Sequence, residues 1–351
     1  MKKILPLITL TILFFACQNE QGKVVQQEEE KPATTKLDQS NLGMVAAAQP
    51  LATAAGNSIL EKGGNAADAA IATAFVIAVV EPTMNGIGGR NQILVRKTDG
   101  SFIGYNGMTE VPLSFVPAEE PPNSGHGTVA TPGVVAALMR LHAEHGSMPL
   151  AELMKPAIQY AAEGFEMLEG EAKRHAYGLD DIKDNPGFKA QMLKNDTATY
   201  ETGEILTQPD LAKTLQRIAD TKGKDFYEGE TAKKIAEDMA ANGGFVTEAD
   251  LKAYKALDAR YVTTKYRDYE IHSIPAPAGG GLVVKALNIL EQFDLSNMTD
   301  AQWAAVVNQA LAYSIESMGY DYKEEDLDFV QSKAWAKEKA DSVLIPESMP
   351  K

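Results

Sequence analysis

The amino-acid sequence predicts a layered domain of the α/β or α+β class over residues 41–351. One observation is the composition, because 44% hydrophobic and 23% charged residues in a chain of 351 can form a large buried core. A second is that segments with helical periodicity and segments with strand-like alternation follow one another along this region. A third is that the region contains no internal repeat or low-complexity tract, and the composition excludes collagen-like, coiled-coil and disordered chains.

The first predicted elements are two helices. Residues 51–62 place small and aliphatic side chains on one face, and two glycines follow as a stop signal. Asn65 can cap the second helix, residues 66–80, which ends before Pro82. This second helix is apolar almost all round, so we expect it to be buried.

A hairpin and a third helix follow a glycine-rich loop. Residues 92–96 and 101–105 alternate like strands around Asp99-Gly100, a pair typical of hairpin turns. Thr131 is expected to cap the third helix, with a proline in its first turn, and the helix should run to about His145.

The remaining region is predicted to be mainly helical. One strand is expected over residues 266–274, and three glycines at 279–281 favour tight packing between this strand and the next helix. No Lys-Ser/Thr pair follows these glycines, so they do not form a phosphate-binding loop. The predicted helices lie near residues 150–163, 209–221, 230–242, 248–255 and 281–292.

The amino terminus has the pattern of an export signal. Lys2 and Lys3 precede an apolar run at residues 4–15, which is too short to span a bilayer at about 20 residues. Ala16 and Cys17 follow at once, so residues 1–16 are predicted to be a lipoprotein signal peptide with Cys17 as the lipidated residue. An ordinary signal with an incidental cysteine is the alternative.

The segment after the cysteine is predicted to be a flexible acidic tether. Residues 17–40 contain few apolar groups and a run of three glutamates, so they cannot bury enough surface to fold. Gln18 favours sorting to the outer membrane, facing the periplasm. The predicted organisation is therefore a signal at 1–16, a tether at 17–40 and one domain at 41–351.

Several classes of function are excluded by charge and residue counts. A formal net charge of −15 argues against a nucleic-acid partner, because phosphate binding needs basic surface. One cysteine and five histidines without ligand spacing predict neither disulfides nor a metal site. The loop at Gly86, Gly88 and Gly89 does not fit a dinucleotide fingerprint, so no cofactor is expected. No G-x-S-x-G motif supplies a serine nucleophile.

Longer blocks of the sequence resemble the γ-glutamyltransferase (glutathione hydrolase) family. The blocks keep the order of that family across about residues 43–335. They read GMVAAAQPLATAAGNSILEKGGNAADAAIATAFVIAVVEP, GIGG, GTVATPGVVAALMRLHAEHG, PAIQYAAEGF, QPDLAKTLQRIADTKGKDFYEGETAKKIAEDM, GGFVTEADLKAYKA and YRDYEIHSIPAPAGGGLVVKALNILE.

The resemblance implies the fold and the chemistry of the family. The fold would be the large-chain part of a four-layer αββα sandwich of the N-terminal-nucleophile hydrolase class. The family nucleophile is the N-terminal threonine of a small chain, and no catalytic residue of this kind lies in the present sequence. Thr34-Thr35 and Thr263-Thr264 are each followed by lysine rather than by the histidine of the family motif. Either a Thr-led small chain is supplied separately, or the protein is a shortened, non-catalytic relative.

The resemblance also places candidate substrate-binding residues, one of which departs from the family. Met108 and Thr109 stand where the family has an arginine that binds the substrate α-carboxylate and its acidic neighbour. Methionine has no charge and no donor for this carboxylate. Arg90, which follows Gly88 and Gly89, could supply a guanidinium from another wall, although an orientation towards solvent is the alternative.

Three functions remain open on the sequence. The first is a γ-glutamyl amide hydrolase or transferase with altered acyl specificity, acting with its small chain on a γ-glutamyl or other amide. The second is an N-terminal-nucleophile acylase for amides whose acyl side lacks the amino-acid head. The third is a silent binding or scaffold lipoprotein in the periplasm.

Overall fold

The computed structural model describes residues 43–120, 122–276, 278–318 and 328–347. All of them belong to one compact unit that begins at Gly43. The predicted signal peptide, Cys17 and the tether lie outside the described residues. Within the described parts of the chain, no helix is both long and apolar enough to cross a bilayer.

The described residues form alternating helical and strand segments, as the sequence predicts. They also include two short 3-10 helices, at His126–Thr128 and Leu295–Asn297. The elements are α1 (Pro50–Glu61), α2 (Ala66–Val80), β1 (Asn91–Arg96), β2 (Phe102–Gly107), α3 (Val134–His145), α4 (Leu150–Glu163), β3 (Phe165–Glu166), α5 (Glu169–Tyr177), α6 (Leu179–Asp184), α7 (Pro186–Met192), β4 (Ile205–Leu206), α8 (Pro209–Thr221), α9 (Lys224–Glu228), α10 (Glu230–Ala241), α11 (Glu248–Ala253), β5 (Leu257–Ala259), β6 (Val262–Tyr266), β7 (Tyr269–Ser273), α12 (Gly280–Leu290), α13 (Asp300–Glu316) and α14 (Lys333–Ala340).

The start of α2 is fixed by a capping box. Asn65 Oδ1 accepts the backbone N–H groups of Ala67 and Asp68 at 2.8 and 3.0 Å, and Asp68 Oδ2 accepts the Asn65 N–H at 3.0 Å. The buried Asp68 also accepts the Ser147 hydroxyl at 2.5 Å, which ties this helix to the α3–α4 connection. Burial alone would raise the pKa of Asp68, but the hydrogen bonds from Ser147 and Asn65 outweigh it and lower the pKa.

The main apolar core is formed by helices from the first two thirds of the chain. Helix α2 packs against α1, α3 and α4, and α8 packs on α4. As predicted, α2 is buried on most of its surface. The largest fully buried side chains of this core include Ile59, Ile71, Phe75, Leu141, Leu153, Leu215 and Ile218.

The strands form three small antiparallel sheets. β1 pairs with β2, and β2 pairs with β5, in a register that sets Asn91 opposite Gly107 and Gly104 opposite Ala259. β3 pairs with β4, and β6 pairs with β7. The buried Tyr105 of β2 donates its hydroxyl to Glu144 at 2.6 Å and so fastens the first sheet to α3. Burial and the Glu144 carboxylate raise the pKa of Tyr105.

Two local predictions were wrong. Thr131 does not cap α3, because its backbone forms an antiparallel bridge with Glu110 and the cap position is Gly133. The single strand predicted over residues 266–274 is the second half of the β6–β7 hairpin. The chain turns at Arg267, a non-glycine residue with a left-handed φ of 54°.

The glycines at the start of α12 have the predicted packing role. A Cβ atom on Gly280 would lie 2.1 Å from Ser273 Oγ and 2.3 Å from the Ile274 carbonyl oxygen, so α12 approaches β7 more closely than another residue would allow. Helix α12 also packs on α13 and α14, around a small apolar cluster that includes Ile289 and Trp335.

Side chains of α13 hold an extended segment alongside the helix. The Gln309 carboxamide accepts the Leu344 N–H at 2.9 Å and donates to the Leu344 carbonyl oxygen at 2.8 Å. Gln302 donates to the Pro346 carbonyl at 3.1 Å, and Tyr313 donates to the Ser342 carbonyl at 3.2 Å. Residues 342–346 are therefore tied to α13 by side chains and not by a strand ladder.

Candidate functional site

The structure brings the glycine-rich loop and the Met108 segment together at one end of the β1–β2 hairpin. The Gly89 carbonyl accepts the Gly133 and Val134 N–H groups at 3.0 and 3.3 Å, so the loop supplies acceptors that the first turn of α3 needs. A Cβ atom on Gly133 would lie 2.2 Å from the Gly107 carbonyl oxygen. This close approach sets the end of β2 directly against the start of α3.

The Met108 segment is held at three points. The Met108 N–H donates to Asn106 Oδ1 at 3.0 Å, and its carbonyl oxygen accepts the Tyr254 hydroxyl at 2.5 Å. Two residues further on, Glu110 and Thr131 exchange backbone hydrogen bonds of 3.1 and 2.9 Å. Met108 and Thr109 are both half-buried between these anchors.

Tyr254 was not found from the sequence, and it is central to this arrangement. Its ring stacks on Tyr227, with centroids 5.7 Å apart and 10° between the planes. Tyr227 in turn donates its hydroxyl to the Pro132 carbonyl at 3.0 Å, immediately before α3. Burial, together with the nearby Glu110 charge, raises the pKa of Tyr254 to about 12, so its hydroxyl remains a donor at neutral pH.

Arg90 directly precedes β1 and is exposed. Asn91 pairs with Gly107, so Arg90 and Met108 are the residues that flank the last pair of the β1–β2 ladder. Gly88 is exposed and Gly89 is half-buried. The hairpin end therefore brings together all five residues that the sequence resemblance selects: Gly88, Gly89, Arg90, Met108 and Thr109.

The start of the glycine-rich loop is fixed by a buried carboxylate on α5. Glu171 accepts the N–H and hydroxyl of Thr83 at 3.0 and 2.7 Å, and Arg174 Nη2 at 2.5 Å. His175 Nε2 lies 3.5 Å from the same carboxylate. Burial opposes ionisation of Glu171, but the neighbouring His175 and the bonds from Thr83 and Arg174 lower its pKa to about 2.

A cavity of about 1230 Å³ opens beside this carboxylate cluster. Its walls come from the loop at Pro82–Met84, from helices α5 to α7, and from residues 123–126. None of the five resemblance-selected residues lines it, so it is separate from the hairpin end. Among the described residues, no group of three or more His, Cys, Asp or Glu side chains is placed to bind a metal ion.

The chain also matches known proteins in sequence. The family model of gamma-glutamyltranspeptidase matches residues 52–347. The glutathione hydrolase proenzyme of Escherichia coli (strain K12) is 33% identical over 332 residues, which is 88% of this chain and 56% of the relative. The acylase ACY 1 proenzyme of Pseudomonas sp. (strain V22) is 33% identical over 284 residues, 76% of this chain and 50% of the relative.

A solved structure matches the fold closely. The gamma-glutamyltranspeptidase of Helicobacter pylori superposes with a TM-score of 0.83 at 27% identity, covering 90% of this chain and 95% of that one. The chain spans about half the length of the curated relatives it matches. It has the large-chain part of the N-terminal-nucleophile hydrolase fold, and it belongs to the gamma-glutamyltranspeptidase family.

Proposed function

We propose that this chain is the large chain of an exported amidohydrolase or acyltransferase of the γ-glutamyltransferase type. Its partner is a small chain that begins with the nucleophilic threonine. Membership of the family and the half-length match to relatives named proenzymes support this proposal. Thr263 and Thr264 lie inside β6, so neither is an N-terminal nucleophile.

The chemistry proposed for the small chain needs no separate histidine. A free α-amine has a pKa of about 8 and can take the proton of the hydroxyl on the same threonine. The hydroxyl oxygen then attacks the amide carbonyl, an acyl ester forms and the amine leaves with the proton. Water or an amino acceptor then attacks the ester and restores the threonine.

The present chain would contribute the wall that binds the acyl group. The observation that carries this proposal is Met108, half-buried and held through both of its backbone polar groups at the hairpin end. A carboxylate head gains most from a bidentate guanidinium. Methionine offers a flexible apolar surface instead, which suits an uncharged acyl head.

Substitutions of Met108 and of Arg90 test the acyl specificity. With the Thr-led small chain present, we expect poor turnover of glutathione, and Met108→Arg should raise kcat/KM for glutathione at least tenfold, about 1.4 kcal/mol. Arg90→Ala, in the residue that precedes β1, is the matched variant. If Arg90 binds the carboxylate, the wild type uses glutathione well, Arg90→Ala abolishes that use and Met108→Arg adds nothing.

Two controls complete this test. An amide substrate without an α-carboxylate reports whether either variant damages the site in general. The purified 351-residue chain alone should not hydrolyse γ-glutamyl anilides, because it lacks the nucleophile. Turnover by the isolated chain would contradict the assignment of the nucleophile to the small chain.

An acylase that cleaves amides without the amino-acid head is the second candidate function. The specific observation in its favour is Met108 at the proposed acyl wall, and the 33% identity to the acylase ACY 1 proenzyme supports it. Preference for an aliphatic acyl amide over glutathione in the assembled protein would support the acylase.

We also propose that the protein is anchored by a lipid on Cys17 to the periplasmic face of the outer membrane. The charged start, the apolar run and Ala16-Cys17 support this location. Cys17→Ser should release the protein from the membrane fraction. Unchanged membrane association of that variant would contradict a lipid anchor.

A further inference from the structure

The cavity of about 1230 Å³ beside Glu171 is large enough for a drug-sized molecule, and it lies apart from the hairpin end. Its wall includes His175 on α5, whose side chain is only 1% exposed. Neither ring nitrogen of His175 has a hydrogen-bond partner among the described residues. Buried polar groups in folded proteins are nearly always hydrogen-bonded, so His175 indicates that the cavity takes a ligand with a polar group.

The surroundings of His175 decide which kind of polar group it can bind. Its Nε2 atom faces Glu171 Oε1 at 3.5 Å, and the same carboxylate accepts hydrogen bonds from Arg174 and Thr83. An ionised carboxylate can only accept hydrogen bonds, so the neutral ring carries its proton on Nε2. The lone pair on Nδ1 then faces no donor among the described residues, and a ligand would have to bring an N–H or O–H group to it.

The unpaired charges on the cavity wall are acidic. Lys173 and Arg174 line the cavity, but each already has a carboxylate partner at 2.5 Å on the same helix. Asp181 and Asp184 also line it and lie three residues apart on α6, and no described residue forms an ion pair with either. A cation in the cavity therefore meets two unpaired carboxylates, whereas an anion would have to compete for bases that are already paired.

Three large exposed side chains give the cavity wall an apolar part. Met84 is 66% exposed, Tyr177 at the end of α5 is 96% exposed, and Phe188 on α7 is 53% exposed. All three line the cavity. Methionine and aromatic side chains pack well against a planar ring, and covering them with a ligand removes apolar surface from water.

We propose that this cavity is a binding site for an aromatic amine, an organic cation with a planar apolar body and a second N–H or O–H donor. The ammonium group lies near the two aspartates, the ring packs on the three exposed side chains, and the second donor bonds to His175 Nδ1. The formal net charge of −15 also favours the approach of a cation. This inference does not depend on the small chain, because all the residues that carry it belong to the present chain.

The experiment measures the binding of tryptamine to the full-length chain by calorimetry. Tryptamine has an ammonium group, a planar ring and an indole N–H. Its analogue 3-ethylindole lacks only the amine, and indole-3-propionate has a carboxylate instead. We expect tryptamine to bind about fivefold more tightly than 3-ethylindole, and indole-3-propionate to bind more weakly than both. Equal binding of all three compounds would overturn the preference for an amine, and no saturable binding of tryptamine would overturn the site.

Substitutions with matched controls test whether tryptamine binds in this cavity. Phe188→Ser should weaken binding about threefold, whereas Phe329→Ser, at the same 53% exposure but outside the cavity, should bind like wild type. Asp181→Asn combined with Asp184→Asn should weaken binding about fivefold and remove the preference over 3-ethylindole. Asp180→Asn is the control for charge, because Asp180 does not line the cavity, and it should leave that preference in place.

His175→Phe tests the buried acceptor. The variant keeps a ring at this position but removes both nitrogens, so tryptamine should bind about fivefold more weakly while the circular dichroism spectrum stays that of wild type. If His175→Phe does not fold, the Phe188 and aspartate variants still decide the location, because they change exposed side chains. Equal weakening by Phe188→Ser and Phe329→Ser, or wild-type binding by every cavity variant, would overturn the inference.

Discussion

The core around α2 and the region around α12 and α13 differ in how completely they are built. Around α2, helices pack on several sides and the carboxylate of the buried Asp68 has several hydrogen-bond donors. Around α12, the apolar cluster is small, the side chains of Trp303, Leu311 and Ile315 on α13 are exposed, and Ser317 is the one hydrogen-bond partner of the buried Lys285 among the residues that the structure describes. The first region is packed on several sides, whereas the second leaves large apolar side chains exposed.

The largest expected effect is a loss in the free energy of unfolding when a side chain of the α2 core is truncated. Phe75→Ala removes a fully buried ring where neighbouring helices cannot collapse, so it should lower the free energy of unfolding by about 3–5 kcal/mol. Ile289→Ala, in the smaller cluster, should cost about 2 kcal/mol because fewer neighbours surround it. Urea unfolding of the isolated chain measures both. Equal losses would remove the distinction between the two regions.

An intermediate effect is expected at Lys285. Burial lowers the pKa of its amine, and among the described residues no acidic side chain pairs with it. Lys285→Met should therefore raise the free energy of unfolding by about 1–3 kcal/mol at neutral pH. Lys337→Met on the exposed face of α14 is the matched control and should change stability by less than about 0.5 kcal/mol.

The pH dependence gives Lys285 a second readout. The unfolded chain binds a proton at Lys285 more tightly than the folded chain does, so the penalty is fully present below the lowered folded pKa. Wild-type stability should then rise with pH between that value and the ordinary lysine pKa of 10.5. Lys285→Met should lack this rise. A variant with the same slope as wild type would show that the amine is not the cause.

The smallest expected effect concerns the site. Tyr254→Phe keeps the ring stacked on Tyr227 but removes the donor to the Met108 carbonyl, so it should cost about 1 kcal/mol of stability. With the small chain present, it should also change KM for the acyl substrate more than Tyr227→Phe does. An unchanged KM would mean that the backbone holds Met108 without this hydroxyl.

Local signals predicted the helices and the first hairpin well. Helices α1 and α2 begin and end within one residue of the prediction, because Asn65 and the glycines after α1 act on their own neighbours. Thr131 was misassigned because a cap competes with more distant pairing, and here Glu110, 21 residues earlier, forms the bridge. Arg267 was missed because a left-handed turn usually requires Gly, Asn or Asp, and arginine carries no such signal.

The site was less accessible to sequence reasoning than the fold. Met108 and Arg90 were selected only through resemblance to a family, since neither residue type marks a site by itself. Tyr254 could not be selected at all, because its bond to Met108 spans 146 positions and no motif surrounds it. The structure adds the physical relation between Met108 and Tyr254, which is the hydrogen bond from the Tyr254 hydroxyl to the Met108 carbonyl oxygen.

Because residues 342–346 are tied to α13 through separate side chains, we expect this segment to open locally before the rest of the domain unfolds. A strand ladder breaks cooperatively, but here Gln302, Gln309 and Tyr313 hold separate backbone groups, and each hydrogen bond contributes about 1 kcal/mol at most. The segment can therefore detach from α13 while the α2 core stays folded. Its amide hydrogens would exchange with solvent long before those of β1 and β2, and a protease would reach this stretch without unfolding the domain.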